Sequence, residues 1–302
     1  MKILITGATG FVGRHVLGAL SSQGHRLGLL VRSGANAASL KTAQTEFLEA
    51  DLDVFDRSRS LIEKFAPEIC VHLAWEGIPD YSASVSKRNL DRSIVLSDLL
   101  LGRTPCKKIL VAGTCFEYGK TAGECVETDR LETASYIGWT KQALYSYLTL
   151  ACAKASADLV WFRLFYVYGP GQRQDSLIPS IVNSIMGGHV PDVRTPADAN
   201  DFIHVQDVAR AFALAAKPQV RGGVYNLGSA QTTPVLEICR MIEREFPDRK
   251  GFVQPLEARP TPANPVRFWA NRQRAKEELG WQPEIALSAG IQGTVRSMLQ
   301  SR

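Results

Sequence analysis

The sequence has no apolar run approaching the ~18 residues that a membrane-spanning helix needs. Its N-terminus opens straight into a short apolar segment and lacks the pattern of a signal peptide. A cytoplasmic protein with no membrane partner is therefore expected. Lysine and arginine outnumber the acidic residues, 35 to 30, yet no basic run gathers them. The net charge of +5 then reads as mild attraction to small anions, and no nucleic-acid surface is expected. Cys70, Cys106, Cys115, Cys125, Cys152 and Cys239 are scattered and form no CxxC pair. They read as reduced thiols, giving neither a disulfide frame nor a metal site. Internal repeats, linkers and low-complexity stretches are also missing.

What the chain does have is an alternation of short apolar runs with amphipathic stretches across 302 residues. This predicts an α/β fold, a doubly wound parallel sheet of Rossmann type. The first fourteen residues set the theme. Lys2–Thr6 reads as a buried strand, Gly7, Gly10 and Gly13 follow, and an apolar-periodic helix begins at Phe11 and Val12. Strand, glycine-rich turn and helix form a dinucleotide-binding beginning. One glycine permits the turn, one lets backbone approach a pyrophosphate, and one lets helix pack on strand. The helix N-terminus then presents free N–H groups to the phosphates. A second strand, Arg26–Val31, ends in Arg32 and Ser33. An acidic residue there would pair with the 2′-hydroxyl of NAD, whereas arginine accepts the 2′-phosphate of NADP. The pair favours NADP, with NAD as the alternative.

The spacing G-x-x-G-x-x-G, written TGATGFVGRHV, resembles the extended short-chain dehydrogenases/reductases, the NAD(P)-dependent epimerases, dehydratases and ketoreductases of nucleotide sugars. Further matches run from Gly7 to about residue 282. The resemblance implies that Asp51 and Leu52 bracket the adenine and that Leu73 and Ala74, ending the strand Ile69–Ala74, lie against the cofactor. His72 reads as a packed core histidine. Gly113–Gly119 resembles the SSxxVYG segment and puts Thr114 on the catalytic Ser/Thr, where a hydroxyl can hold a sugar oxygen. Family dehydratases carry Asp-Glu next. Cys115 and Phe116 stand here, which argues against a dehydratase.

The family signature Tyr-x-x-x-Lys puts both groups on one helix face, and the lysine lowers the phenol's pKa and binds the nicotinamide ribose. Lys141 is present, but the residue four before it is Ile137. Tyr136 is five before, about 100° round an ideal helix. Three alternatives stand: Tyr136 swings into place from the helix start; Cys115, Glu117, Tyr81 or Tyr145 supplies the proton; or the chain binds cofactor with little redox chemistry. Further along, Tyr166-Val-Tyr-Gly-Pro-Gly resembles the segment that leaves the cofactor lobe, with Tyr166 in place of an asparagine that contacts substrate. Asp201–Val208 resembles RDFxHVxDVA, with Asp207 expected to cap the following helix. Cys115, Tyr166, Arg194 and Arg267 are the expected substrate contacts, the arginines as diphosphate grips. Gly251–Pro255 is expected as a small strand.

Residues 1–165 with about 200–230 are expected to form the dinucleotide-binding lobe, and about 166–199 with 231–302 the substrate lobe. The implied function is an NADP(H)-dependent oxidoreductase of a nucleotide-diphosphate sugar, first a 4-ketoreductase, alternatively a 4-epimerase. A cofactor-binding protein without turnover and a non-redox lyase or isomerase are the other classes. The resemblance also implies a homodimer.

Overall fold

The structure is a computed structural model that describes residues 1–32, 37–50 and 55–300. Ser33, Asp51 and Leu52 lie outside the described residues. The first half of the chain runs β1 (Lys2–Thr6), α1 (Phe11–Ser21), β2 (Arg26–Val31), β3 (Thr45–Glu49), α2 (Phe55–Phe65), β4 (Ile69–His72), α3 (Ala83–Arg103), β5 (Lys108–Thr114), β6 (Ala122–Cys125) and α4 (Tyr136–Ala155). There follow β7 (Asp158–Leu164), β8 (Tyr166–Tyr168), α5 (Leu177–Met186), β9 (Ala199–Asn200), β10 (Phe202–His204), α6 (Val205–Ala215) and β11 (Gly223–Leu227). The last elements are β12 (Thr233–Pro234), α7 (Val235–Arg244), α8 (Gln254–Glu257), β13 (Arg267–Ala270), α9 (Gln273–Leu279) and α10 (Leu287–Gln300).

Seven strands form one parallel sheet in the order β11-β7-β5-β4-β1-β2-β3. Ile3, Leu4 and Ile5, or Val160, Trp161 and Phe162, are fully buried in succession. Such uninterrupted apolar runs suit strands covered on both faces. Val16, Leu17 and Leu20 of α1 and Val208, Phe212 and Ala215 of α6 cover one face. Leu96, Leu99 and Leu100 of α3, with Leu144 and Leu148 of α4, cover the other. The strand order reverses at β1, which pairs with β2 on one side and β4 on the other. That switch point opens the crevice where α/β folds bind ligands. A second core joins α5, α7 and α10 through Ile181, Ile185, Ile238, Ile242 and Ile291. A separate four-stranded sheet has the order β12-β9-β13-β6.

Three expectations need correction. Gly251–Pro255 is no strand: bends lead into the short helix α8, with Pro255 in its first turn. Proline lacks the N–H a ladder needs and fits a helix start. Asp207 does not cap α6. His204 is the N-cap and accepts from the Gln206 N–H, whereas Asp207 is buried and accepts from the N–H groups of Glu284 and Ile285 at 3.0 and 3.1 Å. It pins the C-terminal segment to the first lobe. Accordingly Ala275, Leu279 and Trp281 pack into the core on the α1 and α6 face, so this stretch sits with the dinucleotide-binding lobe and not with the substrate lobe.

Candidate active site

The turn after β1 is built on close backbone contacts. Gly7 has φ +73°, and a Cβ there would lie 2.7 Å from the Ala74 nitrogen. A Cβ on Gly13 would lie 2.0 Å from the Gly7 carbonyl oxygen. Gly10 donates to that same oxygen at 2.9 Å and is the N-cap of α1. No side chain caps this helix, and the first intrahelical donor is Arg14, bonded to Gly10. The N–H groups of Phe11, Val12 and Gly13 are therefore free for an anion. Leu73 and Ala74, partly exposed at the end of β4, form the neighbouring wall. These features fit a dinucleotide pyrophosphate.

His72 lies behind that wall, buried, with Nδ1 2.8 Å from Thr6 Oγ1 and Nε2 2.9 Å from Ser93 Oγ. Burial, with the Lys141 charge adding to it, lowers its pKa to about 3. It is a satisfied core histidine.

Arg32, at the tip of β2, is 67% exposed and pairs with Glu76 at 2.9 Å. Arg92 and Arg88 of α3 converge on the same carboxylate, Arg88 at 4.0 Å. The hydrogen bond from Arg92 is the main cause holding Glu76 below the usual carboxylate range. Asn89 clamps the backbone of Glu76, accepting from its N–H at 2.7 Å and donating to its carbonyl at 3.0 Å. Glu76 and its α3 arginines were not anticipated from the sequence. Their signal was present as Arg88 and Arg92 at i,i+4, one face of a helix.

β5 delivers Thr114 into a tight turn. Thr114 donates its N–H to Glu117 Oε1 at 2.8 Å, and its hydroxyl oxygen accepts from the Phe116 N–H at 3.3 Å. The hydroxyl proton remains available. Glu117 is fully buried, held by the Trp161 indole N–H at 3.1 Å and by Arg163 Nε at 3.0 Å. Its carboxylate is a saturated structural acceptor, so Glu117 is withdrawn as the proton donor. Cys115 is also buried, among Tyr118, Cys125, Phe165 and Phe268. Burial pushes its thiol far above the ordinary range, which removes it as an acid near neutrality and puts it beneath the cleft. Tyr145 packs edge-on against Trp161, 5.3 Å between centroids, on the sheet side of α4.

The first turn of α4 rests on this loop. Ser135 caps the helix through the Gly138 N–H at 3.2 Å, and a Cβ on Gly138 would lie 2.6 Å from the Phe116 carbonyl oxygen. Tyr136, the first helical residue, is 56% exposed, whereas Ile137 is buried. Lys141 lies one turn beyond Ile137. Its Nζ donates to the Ala112 carbonyl at 2.7 Å and sits 3.8 Å from the centroid of the Trp75 ring. Burial lowers its pKa from 10.5 to about 7. Two further N–H groups stay available to a ribose. Trp75 is the other residue that sequence reasoning passed over.

Tyr166 contributes from the second lobe, its ring 6.3 Å from Phe116. Arg267 opens β13 beside Ala199, and Arg194 lies in the loop just before β9. Both are exposed, and neither is ion-paired among the described residues. Each is free to meet a diphosphate.

The profile of the NAD dependent epimerase/dehydratase family matches residues 3–228. The chain is 28% identical over 316 residues to the UDP-glucose 4-epimerase of Mycolicibacterium smegmatis, covering 98% of this chain and 97% of that one. It is 24% identical over 319 residues to the dTDP-4-dehydro-6-deoxyglucose reductase of Escherichia coli, with 98% and 97% covered. Among solved structures, the UDP-glucose 4-epimerase of Thermotoga maritima with UDP-glucose superposes with a TM-score of 0.86 at 22% identity, covering 100% of this chain and 99% of that one. The UDP-glucuronic acid 4-epimerase of Bacillus cereus with UDP-glucuronic acid and NAD gives 0.83 at 22%, with both chains fully covered. That profile spans about three quarters of the sequence, and the chain belongs to the NAD dependent epimerase/dehydratase family.

Proposed function

We propose that the chain is an NADP(H)-dependent oxidoreductase that reduces the 4-keto group of a nucleotide-diphosphate sugar. The observation that carries this reading is the charge at the tip of β2. Three guanidiniums, Arg32, Arg88 and Arg92, face one carboxylate, Glu76. Arg32, 67% exposed at the end of β2, offers its guanidinium to a 2′-phosphate. NADP(H) in turn suits a reductase, which consumes its cofactor, better than an epimerase, which recycles it.

The bound cofactor would supply the hydride. The Gly7–Gly13 turn and the α1 N-terminus would hold its pyrophosphate, and Lys141 its ribose. Thr114 would donate its hydroxyl proton as a hydrogen bond to the keto oxygen. Arg194 and Arg267 would grip the diphosphate, Tyr166 and Phe116 would line the sugar, and buried Cys115 would support them from beneath. Reduction needs one proton delivered to a strongly basic alkoxide, so it tolerates the loss of the phenol at position 137 better than epimerisation, which moves that proton both ways. Lys141, with two uncommitted N–H groups, is one source. Tyr136 is the second, and Tyr136→Phe separates them.

The alternative reading, a 4-epimerase, draws support from the similar UDP-glucose 4-epimerases. The buried Ile137 favours a third, cofactor binding with little turnover. Exposed Val95 on α3 and Leu150 on α4, the latter 75% exposed, support a homodimer, which light scattering tests. Six buried free thiols support a reducing, cytoplasmic setting.

The test is oxidation of NADPH and, in parallel, NADH with nucleotide 4-keto-6-deoxy sugars. NADPH should be preferred, and Arg32→Ala should cut that preference at least ~10-fold. Preference for NADH in the wild type overturns the cofactor assignment. Interconversion of C4 epimers without net oxidation overturns the reductase.

A further inference from the structure

The strand β2 and the arginine that ends it carry no acidic residue, the group that would take the 2′-hydroxyl of NAD. The fold brings a carboxylate to that arginine from another strand. Glu76, just after β4, accepts from Arg32 Nη1 through its Oε1 at 2.9 Å. Among the described residues, this carboxylate is the one partner of the Arg32 side chain, which is otherwise open to solvent.

The two oxygens of Glu76 are held from different elements. Oε1 meets Arg32 of β2. Oε2 meets Arg92 of α3, with Arg88 of the same helix at 4.0 Å. Arg32 is 67% exposed, whereas Arg92 is only 16% exposed, so the α3 side of the contact is the firmer one. Asn89 fixes the Glu76 backbone through both its N–H and its carbonyl. Buried Asn89 is itself tied to the Val85 carbonyl at 2.9 Å. Glu76 is thus anchored to α3, and its carboxylate cannot follow Arg32 when that side chain turns away.

A 2′-phosphate and the Glu76 carboxylate seek the same donors. A guanidinium meets either anion best with two parallel N–H bonds. NADP has to draw Arg32 away from Glu76, whereas NAD, with only a hydroxyl there, leaves the pair in place. We infer that Glu76 is a specificity-determining residue: its carboxylate competes with the 2′-phosphate for Arg32 and so sets how strongly the chain prefers NADP over NAD. After the exchange Glu76 keeps Arg92, so neither cofactor strands a lone carboxylate. This deepens the proposed function and rests on the assignment of Arg32 to the cofactor made there.

The experiment is calorimetric titration of the full chain with adenosine 2′,5′-bisphosphate and adenosine 5′-monophosphate, which differ only in the 2′-phosphate. The reading is the ratio of their affinities in wild type, Glu76→Gln, Arg32→Ala and the double variant, all at one ionic strength. Glu76→Gln should raise the ratio in favour of the bisphosphate by about 3- to 10-fold, through release of an exposed ion pair and loss of one anion–anion repulsion. With Arg32→Ala already in place, the same change should alter the ratio by less than ~2-fold. Glu76→Ala should shift the ratio in the same direction as Glu76→Gln, and it decides the matter if the glutamine variant binds neither nucleotide. A ratio left unchanged by removal of the carboxylate overturns the inference. A lowered ratio does so too, because Glu76 would then be aiming Arg32 at the phosphate. An equal gain with and without Arg32 also overturns it, since the effect would be one of overall charge. The cofactor assignment is read separately, from wild type alone. A wild-type ratio below one overturns that assignment, while the change on Glu76→Gln still decides the inference. Failure of wild type to bind either nucleotide overturns both.

Discussion

Replacing Lys141 by methionine should stabilise the protein in mild acid and destabilise it in alkali. Burial drops the amine from 10.5 to about 7, a cost to the charged form of about 5 kcal/mol at ~1.4 kcal/mol per pH unit. The unfolded chain holds its proton up to about pH 10.5, while the folded chain releases it from about 7 upward. The unfolded state binds more protons across that window, so stability rises with pH. Below the window both states are protonated and the penalty is complete. Methionine removes the penalty but leaves the Ala112 carbonyl without its donor, a loss of about 1 kcal/mol. Lys141→Met should thus gain about 4 kcal/mol at the acid end and lose about 1 kcal/mol at the alkaline end. Urea denaturation of both proteins at several pH values from below to above this window reads the crossing. A difference that does not vary with pH refutes the reasoning. So does a variant least stable in acid, which would mean that the ammonium is held by an ion pair.

The other predictions concern different links of the same chain. Gly13→Ala drives a methyl into the Gly7 carbonyl, so strain of about 1–3 kcal/mol is expected in thermal unfolding. A loss of at least ~10-fold in dinucleotide affinity, read by fluorescence titration, should accompany it as the anion cradle shifts. Arg163→Met leaves the Glu117 carboxylate buried without its cation and should cost about 3–5 kcal/mol in chemical denaturation, part of it restored by adding Glu117→Gln. Thr114→Val removes the hydroxyl proposed to meet the sugar oxygen and should lower kcat by about 100-fold with native-like unfolding; a change in KM alone would deny Thr114 that role.

The central sheet was legible because its strands are continuous apolar runs ended by glycine or polar residues, and because the glycine spacing after β1 leaves little freedom of interpretation. The short strands were not. β6 reads Ala-Gly-Glu-Cys and becomes a strand only through its pairing with β13, a partner well over a hundred residues away. Asp207 illustrates another limit. Its place just inside a helix resembles a cap, and only the folded chain brings Glu284 and Ile285 to its carboxylate.

In the site, local pattern marked Thr114 and Lys141 as candidates, with Ile137 four residues before the lysine. It could not tell that Glu117 turns inward to Arg163 and Trp161. Nor could it tell that Cys115 faces a core instead of the cleft. Both follow from the tight turn, which sends alternate side chains to opposite sides and leaves Phe116 outward. Glu76 was invisible for the same reason as Asp207: the residues that give it meaning, Arg32 and Arg92, come from β2 and α3.

The most direct test of the central claim is the fate of a deuterium placed on the transferable C4 position of NADPH. Incubated with a nucleotide 4-keto sugar, the enzyme should oxidise the cofactor and yield a 4-hydroxy product carrying one deuterium at its C4, in step with the NADPH consumed. A product that carries no deuterium, or an interconversion of C4 epimers with the labelled cofactor left unoxidised, would contradict the account.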